Sequence, residues 1–176
     1  MFLSASQFVL FSVGQGTGNA TAVQGYKQNM RRTVTGKTRS DGGYIEDPVR
    51  CALVGLAYQA KWAVRDRANG THAPGVYRFP GLYGSSEGPN SGPSGEVLGF
   101  ANQGLNSMLL QEDFTSAHKL TLLPAWPCDW DLEFKINAAL ETTITGRVLK
   151  GVLTFDVQPA SRRADVVVME CQKEAL

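Results

Sequence analysis

The stretch Leu122-Leu123-Pro124-Ala125-Trp126-Pro127-Cys128-Asp129-Trp130 constrains this chain more than any other. Two leucines, two prolines and two tryptophans crowd together, after an apolar helical pattern and before an alternating one. Proline ends helices and interrupts sheet ladders, and tryptophan is large and mostly buried. The stretch therefore predicts a rigid, packed connector between a helical layer and a β layer.

The flanking periodicities supply those layers. Asp47 can cap a helix whose first turn takes Pro48. Val49, Leu53, Leu56, Ala60, Ala63 and Val64 then form one apolar stripe, predicting a helix over 49–67 with Lys61, Arg65 and Arg67 on its other faces or in its last turn. Asn69-Gly70 ends it. Residues 70–95 hold four prolines and seven glycines and read as a long loop, packed around Tyr77, Arg78, Phe79 and Tyr83 and mobile from Gly84 onward. Leu98, Ala101, Leu105, Met108 and Leu109 predict a second helix over roughly 96–112, in which Gly99 and Gly104 mark close helix approach. Beyond the connector the period becomes two at 132–136, 143–145 and 152–157, with Lys150-Gly151 as a hairpin turn. Residues 165–169 read as a final, more fully buried strand, and 172–176 as a frayed end.

The order is α+β without internal repeats: an irregular segment 1–44, a helical segment 45–117 and an antiparallel β domain 118–176. Two helices do not close a helical domain. Their stripes cover only part of each other, so the isolated chain is expected to expose apolar helical surface and to self-associate through it.

Composition narrows the function classes. In 176 residues, 43% hydrophobic and 19% charged, a globular core forms and wholesale disorder is not expected. A net charge of +1 gives no electrostatic reason for a nucleic-acid or membrane partner. Arg31-Arg32 and Arg162-Arg163 read as solvated surface. Three scattered cysteines and only His72 and His118 give no metal-ligand spacing, so no metal or other cofactor is expected. Cys51 reads as a buried free thiol, and the odd cysteine count permits one disulfide at most without requiring it. Gly14-Gln15-Gly16-Thr17-Gly18 lacks the Gly-Lys-Ser/Thr ending of a phosphate loop. The N-terminal residues are a weak secretory signal, and too short and polar for a membrane span. Asn19-Ala20-Thr21 and Asn69-Gly70-Thr71 match the glycosylation pattern and hint at secretion.

Leu120 to Pro127, followed by Asp129-Trp130-Asp131-Leu132-Glu133-Phe134-Lys135, resembles the C-terminal part of glycoside hydrolases related to the α-L-fucosidases of family 95. There an "LLPALP" or "LLPAWP" segment leaves the last helix of an (α/α)6 barrel and enters a small β domain. The order of parts agrees over about 76–169: Arg78-Phe79-Pro80 in the loop, Leu105 to Gln111 on the helix, and Arg147 to Val168, with Pro159-Ala160-Ser161-Arg162-Arg163, in the β domain. The resemblance implies the last helices of such a barrel followed by a small antiparallel β-sheet or sandwich, a carbohydrate substrate and inverting hydrolysis.

Relatives place an acidic residue, with a nearby His or Asn and Gly, just before the last barrel helix, where it helps activate water. Here Ser85 to Gly99 offers only Glu87 and Glu96 and no His, and Glu96 is nearest in position. Glu96 reads either as a remnant catalytic base or as a carboxylate in a helix-start turn. Trp126 and Trp130 read either as core packing or as sugar-stacking platforms. The family's general acid lies upstream of any region present, and glycoside hydrolysis needs two carboxyl groups about 5–10 Å apart. The expectation is a hydrolase portion inactive by itself. The alternatives are a non-catalytic carbohydrate-binding or structural β domain, and a divergent or truncated product without activity. Asp129, Asp131 and Glu133 alternate as a solvated strand face, without a calcium loop after them. Ser107 and Cys128 have no evident base partner.

Overall fold

A computed structural model of the chain describes residues 24, 25, 28, 47–69, 95–113 and 119–173. The expectations for most of 1–44, for the loop 70–94 with Glu87, and for His72 and His118 lie outside them.

The first helical stripe folds as two helices, α1 (Asp47–Leu53) and α2 (Ala57–Asn69), rather than one. Gly55 is the cause. It sits at φ 72°, the left-handed region glycine enters without a Cβ penalty. Gly55 N–H donates to Ala52 C=O and Leu56 N–H to Cys51 C=O, both at 2.9 Å, which is the Schellman pattern of a helix C-terminus. Helix α3 (Gly95–Leu109) packs on both. It stops before the expected 112 because Leu110–Glu112 forms strand β1 and pairs with β2 (Leu120–Leu122). The Gln111 amide then donates to the Ala52 and Ser107 carbonyls, satisfying the ends of α1 and α3.

Gly104 lies against Pro48, and a Cβ there would overlap the proline ring, so it does mark a close approach of α3 to α1. Gly99 faces open space and does not.

The β part has two three-stranded sheets. Strands β3 (Leu132–Ala138), β4 (Thr142–Leu149) and β5 (Val152–Gln158) form an antiparallel meander. Its register stacks Leu132, Val148 and Leu153 in one row, Phe134, Gly146 and Phe155 in the next, and Ile136, Ile144 and Val157 in the third. These rows form the inward face. The Lys150-Gly151 turn forms as expected, both residues at positive φ. After a cis Gln158–Pro159 peptide and a 3-10 turn over Ala160–Asp165, β6 (Val166–Val168) joins the other sheet. That sheet has the order β1-β2-β6, and β6 runs parallel to β2. The β part is thus not wholly antiparallel, and β6 is not the fully buried strand expected. As an edge strand it leaves Val167 and Val168 nearly half exposed.

Two apolar clusters meet at the connector. Leu120 and Leu122 pack with Ile144 and Val157 between the sheets. Leu123, Ala125 and Trp126 pack with Leu56, Ala60, Val64, Met108, Leu109 and Val148. Leu123 adopts φ 58°, turning the chain from the sheet into the connector, and its N–H donates to the Leu109 carbonyl at 2.8 Å. Much of each stripe is covered: Val49, Leu56, Ala60, Val64, Ala101, Met108 and Leu109 are buried, while Leu53, Ala63 and Leu105 are half-buried. The connector is the partner that two helices alone did not supply.

Two arginine and lysine expectations change as well. Arg162 is buried rather than solvated, because the 3-10 turn folds it back under the start of β4. Its Nε donates to Thr142 Oγ1 at 3.0 Å and its guanidinium pairs with Asp165 at 2.7 Å. Arg163 stacks on Phe155, 3.7 Å from the ring centroid. Lys61 is buried too, since it lies one helical turn from both Ala57 and Val64 inside the packed face.

Candidate functional site at the helix–sheet junction

The connector places chemistry where α2 meets the β part. Trp130 N–H donates to the Pro127 carbonyl at 3.2 Å, closing a turn that projects Asp129 outward. Trp126 Nε1 donates to the Trp130 carbonyl at 3.0 Å, and the two rings meet edge to face, 5.8 Å between centroids. The connector is therefore fixed by its own tryptophans.

Onto this turn α2 delivers Tyr58 and Lys61, three residues apart and so on one helix face. The Lys61 ammonium forms an ion pair with the Asp129 carboxylate. It lies 5.3 Å from the Tyr58 ring centroid and 5.7 Å from that of Trp130. A charge so withdrawn from water needs such partners. The hydrogen bond from Lys61, with its positive charge and a further hydrogen bond from Tyr58, holds the Asp129 carboxyl below the usual aspartate range. Asp129 thus stays ionised near neutrality. It can accept hydrogen bonds from ligand hydroxyls, but it carries no proton to donate as a general acid and is a weak base.

The nominated residues are only partly brought together. Trp126 and Trp130 are neighbours, but Trp126 is 1% exposed and presents no ring face to a ligand, whereas Trp130 is half-buried. Glu96 lies in the first turn of α3. Met108, twelve residues further along that helix, shares the cluster of Trp126. At 1.5 Å per residue this puts the backbone of Glu96 about 18 Å along the axis from the junction. Asp131 accepts a hydrogen bond from the Lys150 N–H at 2.7 Å, tying β3 to the hairpin turn, and Glu133 is exposed.

Among the described residues, no group of three or more His, Cys, Asp or Glu is arranged to hold a metal ion, and no helix is long and apolar enough to cross a membrane. Tyr58 and Asp129 were invisible as a pair in the sequence, being far apart along it. The one available signal was Lys61, a charge inside an otherwise apolar helix face.

Compared with known protein families, with curated proteins and with solved structures, the chain matches none.

Proposed function

We propose that the chain is the C-terminal portion of a glycoside hydrolase similar to the family 95 α-L-fucosidases: the last helices of an (α/α)6 barrel with the β domain that follows. The reaction of that class is inverting hydrolysis of α-L-fucosyl or related bonds, and this portion does not perform it alone. One observation carries the reading. The Leu122–Trp130 connector leaves the end of α3 through the β1–β2 pair and is buried between helices and sheets, as a barrel-to-β-domain junction requires. The ionised, lysine-paired Asp129 carries no proton for the general-acid role.

A second reading, a non-catalytic carbohydrate-binding β domain, is favoured by one feature: a half-exposed carboxylate beside the half-buried ring of Trp130. Two measurements separate them. The hydrolase reading expects the reading frame upstream of Met1 to continue into paired helices bearing the missing carboxyl groups, and no turnover of an aryl α-L-fucoside by this chain. Fucosyl-glycan binding without turnover, with a stop codon directly upstream, would replace it by the binding module. Hydrolysis abolished by Glu96→Gln would show that the catalytic machinery is already present.

A further inference from the structure

The residues after β6 hold the helical and β parts together. Met169 N–H donates to the Leu122 carbonyl at 2.9 Å, and the chain then runs beside the connector. Gln172 N–H donates to the Trp126 carbonyl at 2.8 Å, and Cys128 N–H to the Gln172 carbonyl at 2.9 Å. The Gln172 side chain enters the break between α1 and α2. Its Nε2 donates to the Gly55 carbonyl at 2.9 Å, and its Oε1 accepts from the Ala57 N–H at 3.3 Å. Those are groups that a helix end and a helix start leave unpaired. Fraying is the expectation for 172–176; Gln172 instead caps two helices, and 174–176 lie outside the described residues.

Next to it, Cys171 forms a disulfide with Cys128 of the connector. The Cys171 sulfur also lies 3.7 Å from the Gly151 carbonyl at the β4–β5 hairpin tip, a packing contact, since a disulfide sulfur has no proton to donate. Both cysteines are only partly buried. Met169, Glu170 and Lys173 around them are exposed, so the segment has little apolar burial of its own to keep it seated.

We infer that the Cys128–Cys171 disulfide is a redox-sensitive latch: oxidised, it keeps Gln172 seated in the α1–α2 break, and reduced, it lets Gln172 leave. The reductant is a dithiol. One of its thiolates attacks a sulfur of the bridge, breaking the S–S bond and forming a mixed disulfide, and its second thiol displaces the remaining cysteine. Two electrons and two protons pass to Cys128 and Cys171, which become thiols, and the reagent leaves as a disulfide. Cys51 takes no part, since it is buried in the helical cluster and burial, with the neighbouring Asp47, pushes its thiol far up.

The experiment is amide hydrogen exchange by NMR on the full chain, oxidised and after dithiothreitol, with free thiols counted in denaturant. One thiol before reduction and three after are expected. On reduction the Ala57 amide should exchange at least tenfold faster, with Ile144 and Val148 in β4 unchanged. Gln172→Ala should reproduce the faster Ala57 exchange with the disulfide intact. Three thiols in the chain isolated without reductant, unchanged Ala57 exchange after reduction, or equal acceleration in β4 would each overturn the latch. The reduced wild-type chain makes the test independent of whether cysteine variants fold.

Discussion

The Lys61 ammonium reaches the Asp129 carboxylate across 68 residues of chain, joining helix α2 to the connector. The pair is lopsided in exposure, 10% for the lysine side chain and 53% for the aspartate. Solvent therefore screens the carboxylate end, and the pair contributes less than a fully buried one. Because the folded-state pKa of Asp129 lies below its unfolded value, its stabilisation is present above the ordinary 3.8 and is lost as pH falls through the lowered folded value. Lys61→Met keeps the stem's packing and removes the charge. It should return the Asp129 titration, followed by carboxyl NMR, to the ordinary range or above. Urea unfolding at neutral pH should show a loss of about 1 kcal/mol, shrinking toward zero at acid pH. An unchanged Asp129 titration would mean that the pair does not form.

Among the described residues Trp126 is the largest fully buried side chain, and its indole N–H is satisfied by the Trp130 carbonyl. Trp126→Ala removes apolar area shared by helices and sheet and takes away the hydrogen-bond donor to the Trp130 carbonyl. A loss of about 3–5 kcal/mol is expected in urea denaturation. Trp130→Ala, at a half-buried site, should cost clearly less. Equal losses would mean that the connector is not the common core of the two layers.

How much of this could be read from residues alone depends on how local the cause is. The helix and strand periods, the Lys150-Gly151 turn and the buried Cys51 follow from neighbours in sequence, and they were legible. The break at Gly55 was written locally too, as a glycine inside an apolar stripe, but the stripe's continuity concealed it. The early end of α3 has no local signal: Leu110–Glu112 continues a helical pattern, and pairing with Leu120–Leu122 overrides it. The parallel seat of β6, the burial of Arg162 and the Tyr58–Lys61–Asp129 cluster depend on contacts between distant segments. Of the nominated site residues, Trp130 falls at the junction, Trp126 beneath it, and Glu96 at the far end of α3.

The β4–β5 turn places Lys150 at φ 49° and Gly151 at φ 78°. Two positive φ values in a two-residue hairpin define a type I′ turn, which favours Asn-Gly. A lysine there is held in the left-handed region, where a Cβ is unfavourable, while its N–H is engaged by Asp131. Lys150→Asn leaves that backbone bond intact and should raise stability by about 0.5–1 kcal/mol. Gly151→Ala should do the opposite, since the added Cβ would also stand 3.0 Å from the Cys171 sulfur. Thermal melts of the two variants should move in opposite directions from wild type.

Helix α3 offers the same opposition within one element. Gly99 and Gly104 are both helical, and glycine in a helix interior costs about 0.5–1 kcal/mol relative to alanine. At Gly99 an added Cβ meets nothing within 4 Å, so Gly99→Ala should stabilise by about that amount. At Gly104 the Cβ would overlap Pro48 Cβ and stand 3.0 Å from the Pro48 carbonyl carbon. Proline is fixed at φ near −65° and Pro48 is fully buried, so neither ring nor backbone can yield cheaply. Helix α3 would have to lift from α1, pulling Met108 and Leu109 away from Trp126. Gly104→Ala should therefore lose about 1–3 kcal/mol despite alanine's better helix propensity. Urea midpoints on either side of wild type would establish that α3 is seated on Pro48. A stabilised Gly104→Ala would mean that the two helices do not touch there.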